Sequence, residues 1–389
     1  MTDTIDPTDG ASGAPGRDTD DEGRQIPDPH RTRPGTALCL SGGGYRAMLF
    51  HLGCIIRLNE LGHLRGLARV SSVSGGSITA GALGLAWGKL RWDDHDVATN
   101  LDDEMISPVL KMAGKTIDVP SIFGGALLPF RTISDQVRRS YDRHLFDGAT
   151  LADLPADGAG PRVVINATNV QTGKLFRFSR PYIADYTIGL WRDPETRISD
   201  AVCASSAFPP VLSPHTIEPS GTLDPTTVGP NAGEEFTTKI WLSDGGVYDN
   251  LGLETSLNFD TILVSDGGGM LGTQPSPKRD WARHGVRVSQ IVDGQVRALR
   301  KRQLIDLYQR GFRRGTYWGM RSDVASYGIA DPITMPDDQR DNARTVPTRL
   351  AKLDKQTKHD LVNWGYVIAD TAIRRYVAPD APRPTSLPY

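Results

Sequence analysis

Cysteine is scarce in this chain, with only Cys39, Cys54 and Cys203 among 389 residues and no CxxC pair. That excludes a disulfide framework and a thiolate zinc site, and their apolar surroundings suit buried thiols in a reducing compartment. An excess of one charge is missing too: 44 Lys plus Arg stand against 46 Asp plus Glu, a formal net charge of −2. Nothing therefore draws the whole chain to nucleic acid or anionic lipid, and no nucleic-acid partner is expected; any such pull must come from a local patch. The start of the chain has neither the basic residues nor the apolar run of a secretory signal, which points to a cytoplasmic location. A long hydrophobic run is lacking as well. The longest uncharged stretch, residues 70–88, carries five hydroxyl residues and five glycines, so a buried strand, turn and helix explain it better than a membrane span. Nucleotide fingerprints are absent: there is no GxxxxGK[ST], and the one glycine cluster early in the chain does not have GxGxxG spacing.

What is present reads as one large globular unit behind a tail. Residues 1–34 are rich in Asp, Gly, Pro and Thr and carry almost no large apolar side chains, so they cannot offset chain entropy and are expected to be a disordered acidic tail. Residues 35–380 are read as one domain, with a helical insert at about 92–158 and a helical C-terminal region at about 285–377. Thr36–Leu40 is a short apolar strand followed by glycines and then by Leu49, Leu52, Ile55, Ile56 and Leu58 at helical spacing. Leu67–Val73 followed by Ile78, Ala82, Leu85 and Ala86 repeats the unit. Further strands are expected at 163–165, 175–178, 240–242 and 262–264, a surface excursion at 216–235, and closing helices at 290–310 and 355–376. Strands alternating with helices imply a three-layer α/β/α sandwich with a mostly parallel central sheet.

Three short segments carry the chemistry. Ser72-Val73-Ser74-Gly75-Gly76 lies where a strand turns sharply into a helix, which can hold Ser74 proud of the sheet while the Gly75 N–H, at the helix start, faces a developing oxyanion. A serine- and glycine-rich helix start explains the same residues equally well. Gly42-Gly43-Gly44-Tyr45-Arg46 again joins strand to helix, so its backbone N–H groups can converge on an anion. Arg46 can anchor a lipid phosphate or lock the loop through carbonyls. Asp244 follows a buried strand and precedes Gly245 and Gly246; desolvation or pre-alignment would be needed to make it a competent base. Asp266-Gly267-Gly268 repeats that pattern and shows how readily it arises as a plain turn.

Together these blocks resemble the patatin-like phospholipases, hydrolases that use a Ser-Asp dyad. The family's GGGxR loop is matched by Gly42–Arg46, its GxSxG elbow by Ser72–Gly76 with serine in place of the first glycine, and its Asp-Gly-Gly by Asp244–Gly246. Residues 204–210, Ala-Ser-Ser-Ala-Phe-Pro-Pro, are similar to the family's ASxAxP stretch. The resemblance spans residues 36–270 and implies a patatin-like fold with Ser74 as nucleophile and Asp244, not Asp266, as its partner. It further implies an oxyanion and substrate-binding set of Gly42, Gly43, Gly44, Arg46 and Gly75, with no cofactor and no metal. The implied activity is that of a serine lipid acyl hydrolase acting on phospholipid or another acyl ester through an acyl-enzyme. The alternative is a catalytically inactive lipid- or protein-binding module of the same fold. His51, His144, His284 and His359 stand in no recognisable motif and read as surface or packing residues. Residues 122–130, apolar and glycine-softened, are a candidate acyl channel or interfacial segment. Arg297, Arg300, Lys301, Arg302, Arg310, Arg313 and Arg314 are a candidate basic patch for peripheral membrane association.

Overall fold

A computed structural model of the chain describes residues 32–117, 130–210, 212–269 and 271–389, and gives no side chains for 130–132. Most of the expected tail and nearly all of the apolar segment at 122–130 lie outside the described residues.

Successive chain elements alternate as the apolar periodicity requires. Strand β1 (Arg33–Leu40) leads into helix α1 (Gly44–Glu60), and β2 (Leu67–Val73) into α2 (Gly75–Trp87). Short helices α3 (Ser107–Met112) and α4 (Phe130–Tyr141) precede β3 (Arg162–Asn169), β4 (Lys174–Phe178), β5 (Tyr182–Asp185) and β6 (Gly189–Arg192). Then come α5 (Ile198–Ser205), β7 (His215–Ile217), β8 (Thr222–Leu223), α6 (Glu234–Thr237), β9 (Ile240–Asp244), α7 (Gly246–Asp249) and β10 (Phe259–Asp266). The chain closes with α8 (Trp281–Gln309), β11 (Arg314–Gly319), α9 (Asp337–Thr345) and α10 (Lys355–Tyr376).

All eleven strands among the described residues join one sheet, in the order β11-β10-β1-β2-β3-β4-β5-β6-β8, with β9 on β3 and β7 on β9. Its pairings from β11 through β3 are parallel and the rest antiparallel. The α/β reading thus holds, and the parallel sheet it expected is the core of a mixed one. The antiparallel wing arises because the links from β3 to β6 are turns of a few residues, too short for a crossover helix. Two sequence expectations change. The excursion at 216–235 contributes edge strand β8, and the C-terminal region read as helical also supplies β11, which pairs in parallel with β10.

Alternation along β1 shows why the sheet needs cover on both faces. Leu38 and Leu40 enter a core with α1, α2 and α10, whereas Ala37 and Cys39 enter a second one with Leu251, Leu253, Leu257 and Leu304 of α8. Side chains one residue apart on a strand point to opposite faces, so helices above and below make three layers. The three cysteines are free and buried, and burial pushes the Cys39 and Cys54 thiols up to about 12.

Candidate active site

The register of β3 brings the three motif segments to one place. Val73, the last residue of β2, lies opposite Asn166 of β3, and Asp244, the last residue of β9, lies opposite the next residue, Ala167. Two strands of opposite direction therefore end against consecutive residues of a third. The residue that follows β2 is Ser74, so serine and aspartate meet although they lie 170 residues apart in sequence.

Ser74 sits at φ 52°, ψ −118° as the N-cap of α2, a backbone region that costs a non-glycine residue about 1–3 kcal/mol. The strain is held in place by its neighbours. The Ser74 N–H donates to Ser205 Oγ at 2.9 Å, Ser205 donates to the Asn166 carbonyl at 2.6 Å, and the Ser77 hydroxyl lies 2.9 Å from Ser205. Asn166 Nδ2 also bonds the Ser72 carbonyl at 3.0 Å. Ser72, the departure from the family's glycine, is fully buried and keeps regular strand pairing with Ile165; its hydroxyl donates to the Val164 carbonyl at 3.2 Å and accepts from Ser77.

The glycine loop leans directly on this turn. Gly43 and Gly44 adopt φ 144° and 61°, conformations open to glycine. A Cβ on Gly75 would overlap the Gly44 carbonyl, so the two helix starts touch. As first residues of their helices, Gly44 and Gly75 carry N–H groups that no intrahelical carbonyl can accept. The Gly42 N–H, in contrast, is committed to the Asn250 carbonyl at 3.1 Å. Of the two roles left open for Arg46, loop locking describes its contacts: Nε donates to Gly267 O at 3.0 Å, Nη1 to Val346 O at 2.7 Å and Nη2 to Thr348 Oγ1 at 2.7 Å.

Asp244 is 4 % exposed. Burial raises its pKa to about 7, opposed by the Gly246 N–H at 2.7 Å and by the Ser74 hydroxyl; Asp293 of α8 adds a smaller upward push. Asp266 is placed elsewhere, its carboxylate held by Tyr317 at 2.6 Å, the Gly268 N–H at 2.9 Å and Ser41 at 3.3 Å. No described histidine bonds to Ser74 or Asp244. His51 is buried with its ring nitrogens 2.7 Å from Ser265 Oγ and 2.9 Å from Ser41 O, and burial lowers its pKa to about 4. His359 stacks on Tyr389 at 4.2 Å. Among the described residues, no group of three His, Cys, Asp or Glu side chains could hold a metal.

Sequence reading missed Ser205, Asn166 and Asn250 as supports of the site. Ser205 and Asn250 had a signal, since the first lies in the Ala-Ser-Ser-Ala-Phe-Pro-Pro stretch and the second ends the Asp244–Asn250 run that resembles the extended form of the family's Asp-Gly-Gly block. An open cleft of about 760 Å³ lined by Arg33, Arg65, Trp87 and Trp92 belongs to the other end of the sheet, where β1, β2 and β3 begin.

The family model of the patatin-like phospholipases matches residues 38–257, more than half of the chain. No curated protein matches it in sequence. Among solved structures, human GIVD cytosolic phospholipase A2 is similar at 13 % identity and TM-score 0.46, covering 88 % of this chain and 59 % of that one. The same human enzyme in complex with methyl gamma-linolenyl fluorophosphonate gives 15 % identity and TM-score 0.48, over 87 % of this chain and 57 % of that one. VipD from Legionella pneumophila gives 15 % identity and TM-score 0.33, over 88 % and 67 %. The chain thus spans under three fifths of the human enzyme's length.

Proposed function

The chain belongs to the patatin-like phospholipase family, and from that premise we propose that it is a serine lipid acyl hydrolase in which Ser74 and Asp244 form the catalytic dyad. The observation that carries this reading is the end-to-end meeting of β2 and β9 on β3, which sets a strained serine beside a buried carboxylate of raised pKa. Asp244 accepts the Ser74 hydroxyl proton as Oγ attacks the ester carbonyl. A pKa near 7 suits a base that must take that proton and then return it to the leaving alcohol. Oxyanion charge falls on the backbone N–H groups of Gly43, Gly44 and Gly75. Gly42, its N–H occupied, acts as a spacer that lets Asn250 approach. Asp244 then activates water against the acyl-enzyme, and the fatty acid leaves.

The chemistry needs no histidine, which fits the separate engagement of His51 and His359. Fluorophosphonate labelling with mass mapping tests the dyad in wild type, Ser74→Ala, Asp244→Asn and His359→Ala. Labelling confined to Ser74, strongly reduced in Asp244→Asn and preserved in His359→Ala, is the expected result. Wild-type protein that stays unlabelled in the presence of phospholipid vesicles would sink the reading in favour of a binding module.

A further inference from the structure

Helix α8 presents apolar side chains to solvent as well as to the core. Its inner side packs Leu304, Leu307 and Tyr308 on the second core, and three of its cations are engaged beside them: Arg297 donates to Gly269 O at 2.7 Å, Arg300 to Glu254 at 2.7 Å, and Lys301 lies 4.0 Å over the Tyr317 ring. Its outer side is apolar. Trp281, Val288, Val292 and Leu299 follow one another at spacings of seven, four and seven residues, which at about 100° per residue confines them to an arc of about 40°. They are 88 %, 44 %, 55 % and 58 % exposed, and Ile291 beside them is 45 % exposed. The adjoining α7 carries Val247, also 54 % exposed, and meets α8 through Arg300 over the Tyr248 ring at 5.7 Å.

The stripe has a basic fringe. Exposed Lys278 and Arg279 lead into the helix, and exposed Arg302 lies along one edge of the stripe. The two exposed acids on this element are each neutralised locally, Asp280 by Arg283 at 2.7 Å and Asp306 by Arg310 at 2.9 Å. An apolar stripe that starts at a tryptophan and is bordered by long cationic side chains suits a helix lying in the interface plane of a bilayer. A protein groove would call for acidic complements to that fringe. Of the basic patch read from the sequence, Arg297, Arg300 and Arg310 are held in ion pairs and Arg313 is buried against the Leu257 carbonyl at 2.8 Å, while Arg302 is exposed.

We propose that the outward stripe of α8, Trp281 to Leu299, with its fringe of Lys278, Arg279 and Arg302, is the surface by which the protein docks on an anionic lipid bilayer. The inference rests on the lipid hydrolase reading for its choice of partner. α8 also adjoins α7, which begins two residues after Asp244.

The test is vesicle flotation of the full chain carrying Ser74→Ala, so that the lipid stays intact, with phosphatidylcholine alone or with roughly one part in three phosphatidylglycerol. Flotation is expected mainly with the anionic vesicles. The pair Val288→Asp and Val292→Asp should lower partitioning by about tenfold or more, and Lys278→Ala with Arg279→Ala should remove most of the anionic preference. In an otherwise wild-type background, the same surface variants should hydrolyse a short soluble ester at the wild-type rate, which separates a lost surface from a lost fold. Flotation unaffected by the aspartate pair overturns the proposal. So does a wild-type dimer in sedimentation that becomes monomeric in that pair, because the stripe would then bind a second copy. Absence of ester hydrolysis in wild type counts against the dyad alone and leaves the flotation result standing.

Discussion

The backbone N–H of Ser74 donates to the side chain of Ser205, 131 residues away, at 2.9 Å. Ser205 passes the bond on to the Asn166 carbonyl, so the strained turn is tied to the middle of the sheet. Ser205→Ala leaves a buried N–H without its acceptor, a cost of about 1–3 kcal/mol. The expected result is fluorophosphonate labelling of Ser74 slowed by about 10- to 100-fold with a modest fall in Tm. An unchanged labelling rate would mean that the turn holds its shape without this tether.

As the proposed base, Asp244 is expected to set the pH dependence. Its carboxyl must be ionised to accept a proton, so hydrolysis of a soluble ester should rise about tenfold per pH unit and level off above the raised pKa of about 7. A profile already flat from pH 5 would show that the carboxyl of the base is not raised to about 7.

Stability should run the other way. The folded pKa of Asp244 lies above the ordinary 3.8, so between those values the native state holds a proton that the unfolded chain has released. The contribution is complete below the ordinary value and is lost as pH rises through about 7. Asp244→Asn removes that slope and should make the protein more stable at pH 8, by at most about 4 kcal/mol, while abolishing activity. Denaturant unfolding of both proteins at pH 5 and pH 8 measures the difference.

Arg46 is expected to act through the loop and not through a substrate phosphate. Arg46→Lys cannot reproduce a planar fork that reaches Gly267, Val346 and Thr348 together. Turnover of a phospholipid and of an uncharged ester should fall by the same factor, about tenfold or more, with a lower Tm. A loss specific to the phospholipid would instead assign Arg46 to the headgroup.

Ser72→Gly restores the family's residue, yet it removes a buried hydroxyl bonded to Val164 and Ser77. It should destabilise the protein by about 1–2 kcal/mol and leave kcat within about threefold. A large gain in kcat would show that the serine impairs the elbow.

Much of the architecture was legible because it is written locally. The switch from apolar runs to helical spacing places β1, α1, β2 and α2, and glycine clusters fall at both strand-to-helix turns. The antiparallel wing was not legible, since β5, β6 and β8 are only four, four and two residues long and gain their meaning from partners across the sheet. Charge along α8 misled for a similar reason: a run of arginines is the same in sequence whether it meets solvent or, as here, Asp266, Glu254 and Asp249.

The sequence by itself determined the local chemistry: which turns can carry positive φ, which helix starts offer free N–H groups, and which serine and aspartate stand at strand ends. Only the tertiary structure decided that Ser74 meets Asp244 and that Asp266 lies apart. That outcome depends on strand register, because β2 and β9 end on consecutive residues of β3. Register follows from the summed burial and pairing of distant strands, which no single segment encodes.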